Sequence, residues 1–170
     1  MADRLQSDSA LVQFSERLTN SAAFGTLFRE GMDLVEETAA YLDGDGRTEA
    51  KALERSVSLT YATESMRLTT RLMQLASWLL LHRAVKEGEM TLTQANREKT
   101  KVKLTAADPG AEEMIEKLPQ QLQDLIARSV SLQARVRRLD TTIHAPSAER
   151  APIGNPLVPQ LNRLKAAFEQ

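Results

Sequence analysis

An apolar repeat in the last third of the chain constrains the fold more strongly than any other feature. Its members alternate at spacings of three and four residues, which is the heptad pattern of a helix packed along one side against other helices. Pro119 stands near its start, and proline is favoured in the first turn of a helix. We therefore predict a long helix in a bundle, with one polar break in its inner seam. The seam consists of Leu118, Leu122, Leu125, Ser129, Leu132, Val136, Leu139 and Ile143.

Two further long helices are predicted before this one. The first covers about 22–42 and carries Gly31 on its apolar side. A glycine there costs about 1 kcal/mol relative to alanine, so we expect a neighbouring backbone to approach it closely. The second should begin with Thr48 as its N-cap and run without interruption to Glu87, about 60 Å. It has two apolar stripes, and from about Leu72 to Val85 it is apolar on more than one side, so we expect more than one neighbour to bury it there. One stripe contains Tyr61, Leu68, Leu72, Leu75 and Leu79, and the other contains Ala62, Met66, Met73, Ala76 and Leu80.

The chain divides into three parts on this interpretation. Residues 1–20 form a short amphipathic segment, and 21–144 form the helical bundle with short accessory helices. Residues 145–170 form a flexible tail that holds four of the six prolines and ends in an amphipathic peptide. Aromatic residues make up only 4% of the chain, and good helix formers dominate it. The predicted fold is all-α, an antiparallel bundle of three long helices.

Charge, cysteine content and hydropathy exclude several functional classes. The formal net charge is −1, and the basic surface that nucleic-acid binding requires is missing, so we predict no nucleic-acid partner. The chain has no cysteine and hence no thiolate metal site. Residues 1–10 lack the apolar run of a signal peptide, and the longest apolar run, Trp78–Leu81, is far shorter than the roughly 18 residues of a membrane span. We predict a cytoplasmic protein without a membrane partner.

No pattern of residues in the sequence indicates catalysis, a cofactor or a metal. A helical di-iron site needs Glu-x-x-His pairs, but Leu79 stands three residues before His82, which we expect on a helix surface or in an interface. The spacing of Asp43 and Glu54 resembles a calcium loop, but Thr48 occupies the position that needs glycine. Phosphate-binding loops and nucleophile motifs are also missing. We predict a protein that is not an enzyme and binds no cofactor.

Charged and aromatic side chains on the two later long helices are candidates for a protein interface. Glu64, Arg67 and Arg71 can interact along one helix. A buried ionic network is one interpretation, and a solvated face or a helix–helix contact is the one we prefer. The apolar surface at Trp78–Leu81 exceeds what two neighbours in the chain would cover, which predicts a homodimer. The candidate interface residues are Arg67, Arg71, Trp78, Arg135 and Arg138.

The end of the chain is a second candidate for partner binding. A linker that carries a short amphipathic segment is typical of a peptide recognition element. The apolar side chains of this segment recur at i, i+3 and i+7, one side of a helix. The candidate partner-binding residues of the tail are Pro159, Leu161, Arg163, Leu164 and Phe168.

Several stretches of the sequence resemble one family, the alphaproteobacterial regulator of CtrA degradation family (RcdA). The resemblance is strongest over 65–81, and it extends from about residue 24 to residue 168. It implies a helical-bundle adaptor that forms dimers and helps to deliver cell-cycle regulators, its protein cargo, to the ClpXP protease. It also implies a response-regulator partner that primes the protease, and accumulation at a cell pole. The matching stretches are Phe28–Met32, Ala39–Gly44, Ser65–Leu81, Leu125–Ser129 and Pro159–Phe168.

Three functional hypotheses remain at this point. A non-enzymatic adaptor is favoured, because the residues show no catalytic site and the resemblance to the family implies an adaptor. A DNA-associated helical transcriptional regulator is the alternative, although a compact helix-turn-helix signal is missing. A helical enzyme would need metal ligands or an acid–base pair.

Overall fold

Every secondary-structure element is a helix in a computed structural model of the chain, which describes residues 21–99 and 112–144. The predicted all-α class is therefore confirmed. The predicted N-terminal segment and the predicted tail lie outside the described residues. The helices are α1 (Ala22–Asp43), α2 (Asp45–Lys51), α3 (Arg55–Lys86), α4 (Leu92–Lys99), α5 (Glu112–Ile115) and α6 (Gln120–His144).

The three long helices α1, α3 and α6 pack around one core. Two salt bridges fix α1 antiparallel to α6, since Glu37 pairs with Arg128 at 2.8 Å and Glu30 pairs with Arg135 at 2.7 Å. Helix α1 is also antiparallel to α3, since Phe24 contacts Trp78 near one end and Tyr41 contacts Tyr61 near the other. It follows that α3 and α6 run parallel to each other, so the predicted antiparallel arrangement is wrong for this pair of helices.

Gly31 lies where α1 comes closest to α3. A Cβ atom on this residue would collide with Cδ1 of Leu79 and would also touch Leu132 of α6. Close approach is therefore the reason for the glycine, as predicted. The approaching group is a leucine side chain, however, and the expectation of a neighbouring backbone was wrong.

The predicted uninterrupted helix from Thr48 to Glu87 is wrong, because the chain folds there as α2 and α3. Helix α2 already begins at Asp45, so Thr48 lies inside it and is not an N-cap. Gly46 allows α2 to pack closely, since a Cβ on it would lie 2.6 Å from Tyr61 Oη. Tyr41 Oη donates a hydrogen bond to Glu49 Oε2 at 2.6 Å, which holds α2 against α1. A turn then separates α2 from α3.

The inner seam predicted for the last helix is confirmed. Seven of its eight members are buried, including the polar Ser129, and Leu139 is half-buried against the same core. The first stripe predicted on α3 also faces inward, with Tyr61 half-buried at its start. Leu75 at its centre is only 1% exposed.

The second stripe predicted on α3 is exposed to solvent. Met66, Met73 and Leu80 expose 72%, 67% and 51% of their surface, so no described helix buries this stripe. Helices α1 and α6 both pack on the other side of α3, and the short helices do not cover this face. Within the described helices, none is both long and apolar enough to cross a membrane.

Candidate interaction site

Trp78 of the predicted interface anchors the core at one end of the bundle. It is 1% exposed, and its Nε1 donates a hydrogen bond to Asp140 Oδ1 at 2.7 Å. The ring packs against Phe24 of α1 and stacks on His82 with 3.9 Å between ring centroids. Lys99 of α4 pairs with the second oxygen of Asp140 at 2.6 Å. Trp78 therefore joins four helices and contributes almost no surface to the outside.

His82 is completely buried, and its predicted position on the surface or in an interface was wrong. Its Nδ1 lies 2.9 Å from the carbonyl oxygen of Trp78, an acceptor, so Nδ1 carries the proton and donates it. The sequence did contain a signal for this burial. His82 continues the inner stripe of Leu75 and Leu79 at spacings of seven and three residues.

Burial lowers the pKa of His82 below its usual 6.5, so we expect acidification to destabilise the fold. The hydrogen bond to Trp78 and the carboxylate of Asp140 oppose this shift, and the Lys99 ammonium adds to it. Above pH 6.5 the histidine is neutral in both states, and its contribution to stability is complete. As the pH falls below that value the unfolded chain binds the proton first, and the free energy of unfolding decreases.

Urea denaturation at about pH 7.5 and about pH 5.5 measures this loss of stability. His82→Phe keeps the ring stacking but cannot bind a proton, so the variant should lose less stability between the two pH values. An equal loss in the variant would show that other groups cause the acid sensitivity.

Arg71 of the predicted interface forms a buried contact between α3 and α6. It is 8% exposed, and its Nη1 donates a hydrogen bond to Ser129 Oγ at 2.8 Å. Ser129 Oγ in turn donates to the carbonyl oxygen of Ile126 at 2.7 Å. The helix–helix contact predicted for this arginine is confirmed. The one polar residue of the inner seam is explained as the partner of the arginine.

Glu64 and Arg67 lie one to two turns earlier on α3. Glu64 is 6% exposed and accepts a hydrogen bond from Arg67 Nη1 at 2.8 Å, while Arg67 remains half-exposed. The interpretation of these residues as a solvated face is therefore wrong for Glu64 and Arg71. Burial also lowers the pKa of Arg71, and the charge of Glu64 opposes that shift.

Ser129→Ala should lower the free energy of unfolding by about 1.5–3 kcal/mol, because it removes a hydrogen bond to a buried cation. The matched double variant R71M/S129A removes both polar partners together and should recover most of the loss. Urea denaturation of the two variants checks this. A double variant less stable than S129A would contradict the assignment of the contact.

The remaining candidates of the predicted interface lie on α6. Arg135 is half-exposed and binds Glu30 of α1, and Arg138 is exposed. Of the predicted set, then, the structure brings Arg71 and Trp78 into the core and leaves Arg67, Arg135 and Arg138 with exposed surface. Their role as an interface stays a prediction. The tail candidates, Pro159, Leu161, Arg163, Leu164 and Phe168, lie outside the described residues.

Four of the five large apolar side chains that are exposed among the described residues lie on one face that the predicted interface residues did not include. It is the exposed face of α3, which we call the outer stripe. Its large members repeat every seven residues, and small residues occupy the positions between them. The regular spacing was readable in the sequence, but the position of the neighbouring helices was not. The outer stripe consists of Leu59, Ala62, Met66, Thr69, Met73, Ala76 and Leu80.

The described side chains were compared with the ligand sets that hold metal ions in proteins. Among residues 21–99 and 112–144, no group of three or more histidine, aspartate or glutamate side chains is arranged to hold a metal ion. The hydrogen bonds of Arg71 and Trp78 and the ion pair of Lys99 connect helices. Their arrangement joins α3 to α4 and α6, which is a structural role.

Comparison with known proteins gives two similarities. Residues 15–168 match a family model described as protein of unknown function (DUF1465). The crystal structure of RcdA from Caulobacter crescentus CB15 is 49% identical in sequence, and the similarity covers 78% of this chain and 99% of that one, with a TM-score of 0.64. Curated protein sequences give no match. The match to the family model spans the whole described bundle.

Proposed function

This chain belongs to the RcdA-like DUF1465 family, and on that premise we propose that it is a non-enzymatic adaptor in regulated proteolysis. The observation that supports this most is the 49% identity to RcdA over 99% of the RcdA chain. In this proposal the protein helps to deliver cell-cycle regulatory proteins to the ClpXP protease. A response-regulator partner primes the protease, and the adaptor works as a homodimer in the cytoplasm, concentrated at a cell pole.

The described bundle supports a binding role. Its interior is filled with packed side chains, and polar groups such as Arg71 and Trp78 are used to join helices. Large apolar side chains are exposed on α3, and such a patch is typical of protein–protein contacts. We propose the division 1–20, 21–144 and 145–170 for N-terminal segment, bundle and tail, with the tail residues binding a partner.

The alternative of a DNA-associated regulator has less support. Arg128 and Arg135, two of the basic residues on α6, are paired with Glu37 and Glu30 of α1. These carboxylates reduce the positive potential that duplex DNA would need on this face. Binding to a labelled DNA duplex at low and high salt separates the two functions, since an adaptor should show no salt-dependent binding.

A reconstituted degradation assay tests the proposal. It contains ClpXP, the response regulator and a labelled cell-cycle regulator, all from the source bacterium, and the adaptor is added at increasing concentration. Cargo should disappear faster as the adaptor is added, while the adaptor itself persists. A cargo half-life that does not change at any adaptor concentration, with an active protease, would refute the proposed function.

A further inference from the structure

Helix α4 is a short, polar element that packs against α3 and α6. Within Leu92–Lys99, Ala95 is the one buried residue, at 1% exposure, and Leu92 is half-buried against the core. Lys99 Nζ pairs with Asp140 Oδ2 at 2.6 Å and joins the last turn of α4 to α6. An element with so few buried apolar contacts belongs to the least stable part of a fold, so it can open while the rest of the bundle stays folded.

The backbone on either side of the turn before α4 is satisfied by local hydrogen bonds. Gly88 ends α3 with a φ of 75°, and Glu89 N donates to the carbonyl oxygen of Ala84 at 3.0 Å. Thr91 N donates to Gln94 Oε1 at 2.9 Å, and Gln94 N donates to Thr91 Oγ1 at 3.2 Å. These bonds lie within the turn or within α4, so none of them breaks when α4 moves away from the core. Helix α4 can therefore swing as one body about the residues between Gly88 and Thr91.

The surface under α4 holds one carboxylate and one buried imidazole. Asp140 accepts a hydrogen bond from Trp78 and pairs with Lys99, so its single negative charge is already shared. His82 stacks on Trp78 and is completely buried. While His82 is neutral, the charges of Lys99 and Asp140 balance. A proton on His82 leaves two cations for one carboxylate in a site shielded from water, where like charges repel strongly.

Two charged groups act on His82 from the helices packed around it. Asp140 of α6 favours a proton on the ring, and Lys99 of α4 opposes it. On α3 itself, the neighbouring charge of Arg83 is paired with Glu87 at the surface. Helix α1 brings the uncharged ring of its first phenylalanine to the stack. Lys99 is the one group of this set that a short helix carries, so its departure with α4 is the least costly way to remove the excess charge.

We propose that α4 is a proton-controlled strap, closed over Trp78 while His82 is neutral and released when His82 binds a proton. In the open state His82 reaches water and regains its ordinary proton affinity, whereas the closed state resists the proton. Acid therefore favours the open state, in the range below the usual histidine pKa of 6.5. The open-to-closed ratio at about pH 5.5 should be about ten times the ratio at about pH 7.5. Opening uncovers the Trp78 ring and the Asp140 carboxylate. The strap goes beyond the proposed adaptor role and does not depend on it.

Hydrogen exchange measured by NMR on the full chain tests the strap. The reporters are the backbone amides of α4 and the indole N–H of Trp78, the only tryptophan in the chain. Their protection factors should be at least ~10-fold below that of the Leu132 amide in the core of α6, because local opening requires less free energy than global unfolding. From about pH 7.5 to about pH 5.5 the protection of α4 should fall about tenfold, after correction for the intrinsic exchange rate. Equal protection of α4 and Leu132 would overturn the strap, since global unfolding alone would then expose α4.

Three variants assign the pH dependence to the cluster under α4. His82→Phe keeps the stacked rings but binds no proton, so the protection of α4 should change by less than about twofold between the two pH values. Lys99→Met removes the ion pair and should lower the protection of α4 about fivefold or more at neutral pH. Lys86→Met makes the same change at an exposed lysine of α3 and should leave that protection unchanged. A full acid-induced loss in H82F, or unchanged protection of α4 in K99M, would refute the proposal.

Discussion

Leu75→Ala should lower the free energy of unfolding by about 2–5 kcal/mol. Leu75 is 1% exposed and lies on the inner stripe of α3, where its side chain belongs to the core shared with α1 and α6. Truncation removes apolar contacts and leaves a cavity that the surrounding helices fill only in part. Domains of this size are stable by about 5–15 kcal/mol, so the loss is a large share of the total.

Met73→Ala is the matched control for that variant. Met73 lies on the same helix two residues earlier and is 67% exposed, so its truncation should change the stability of the isolated chain by less than about 0.5 kcal/mol. Urea denaturation monitored by circular dichroism gives both values, and it should be performed at a protein concentration well below the dimer dissociation constant. A loss under about 1 kcal/mol for L75A would mean that the inner stripe does not form the core.

Deletion of residues 145–170 should leave the melting temperature of the bundle nearly unchanged and strongly reduce cargo delivery. The prolines of this segment lack backbone donors and disfavour continuation of α6, so we expect it to add little to the core. A segment of about 14 linking residues reaches roughly 20 Å, which would let the terminal peptide bind one protein while the bundle holds another. Such tethering raises the local concentration of one partner near the other.

A triple variant separates the peptide from the linker in this experiment. Changing Leu161, Leu164 and Phe168 to serine keeps the length of the segment and removes its apolar side. We expect the triple variant to lose delivery as the deletion does, in the reconstituted protease assay. If the deletion instead lowers the melting temperature substantially while delivery persists, the segment covers the bundle surface and is not a partner-binding element.

The sequence was sufficient for features that depend on periodicity within one helix. The three- and four-residue spacing from Leu118 to Ile143 predicted the buried face of α6, and Gly31 was correctly linked to close packing. The break between α2 and α3 could not be found in this way. The position of α2 involves contacts between helices, namely the close packing of Gly46 against Tyr61 and the hydrogen bond from Tyr41 to Glu49.

The candidate site was predicted less well for a related reason. Periodicity shows that α3 has two apolar faces, but it does not show which face receives a neighbour from the same chain. Trp78 and His82 were therefore assigned to a surface, whereas α1, α4 and α6 enclose them. The outer stripe is exposed, and no described helix packs on it. Only the assembled bundle distinguishes the two faces.

Because α3 and α6 run parallel, both helices end at the same end of the bundle. Since α1 runs opposite to both, its first residue, Ala22, lies at the same end of the bundle as Lys86 and His144. The tilted ring contact between Trp78 and Phe24 marks that end. The described bundle thus begins and ends on the same side, where the attachment points for the residues before 22 and after 144 lie.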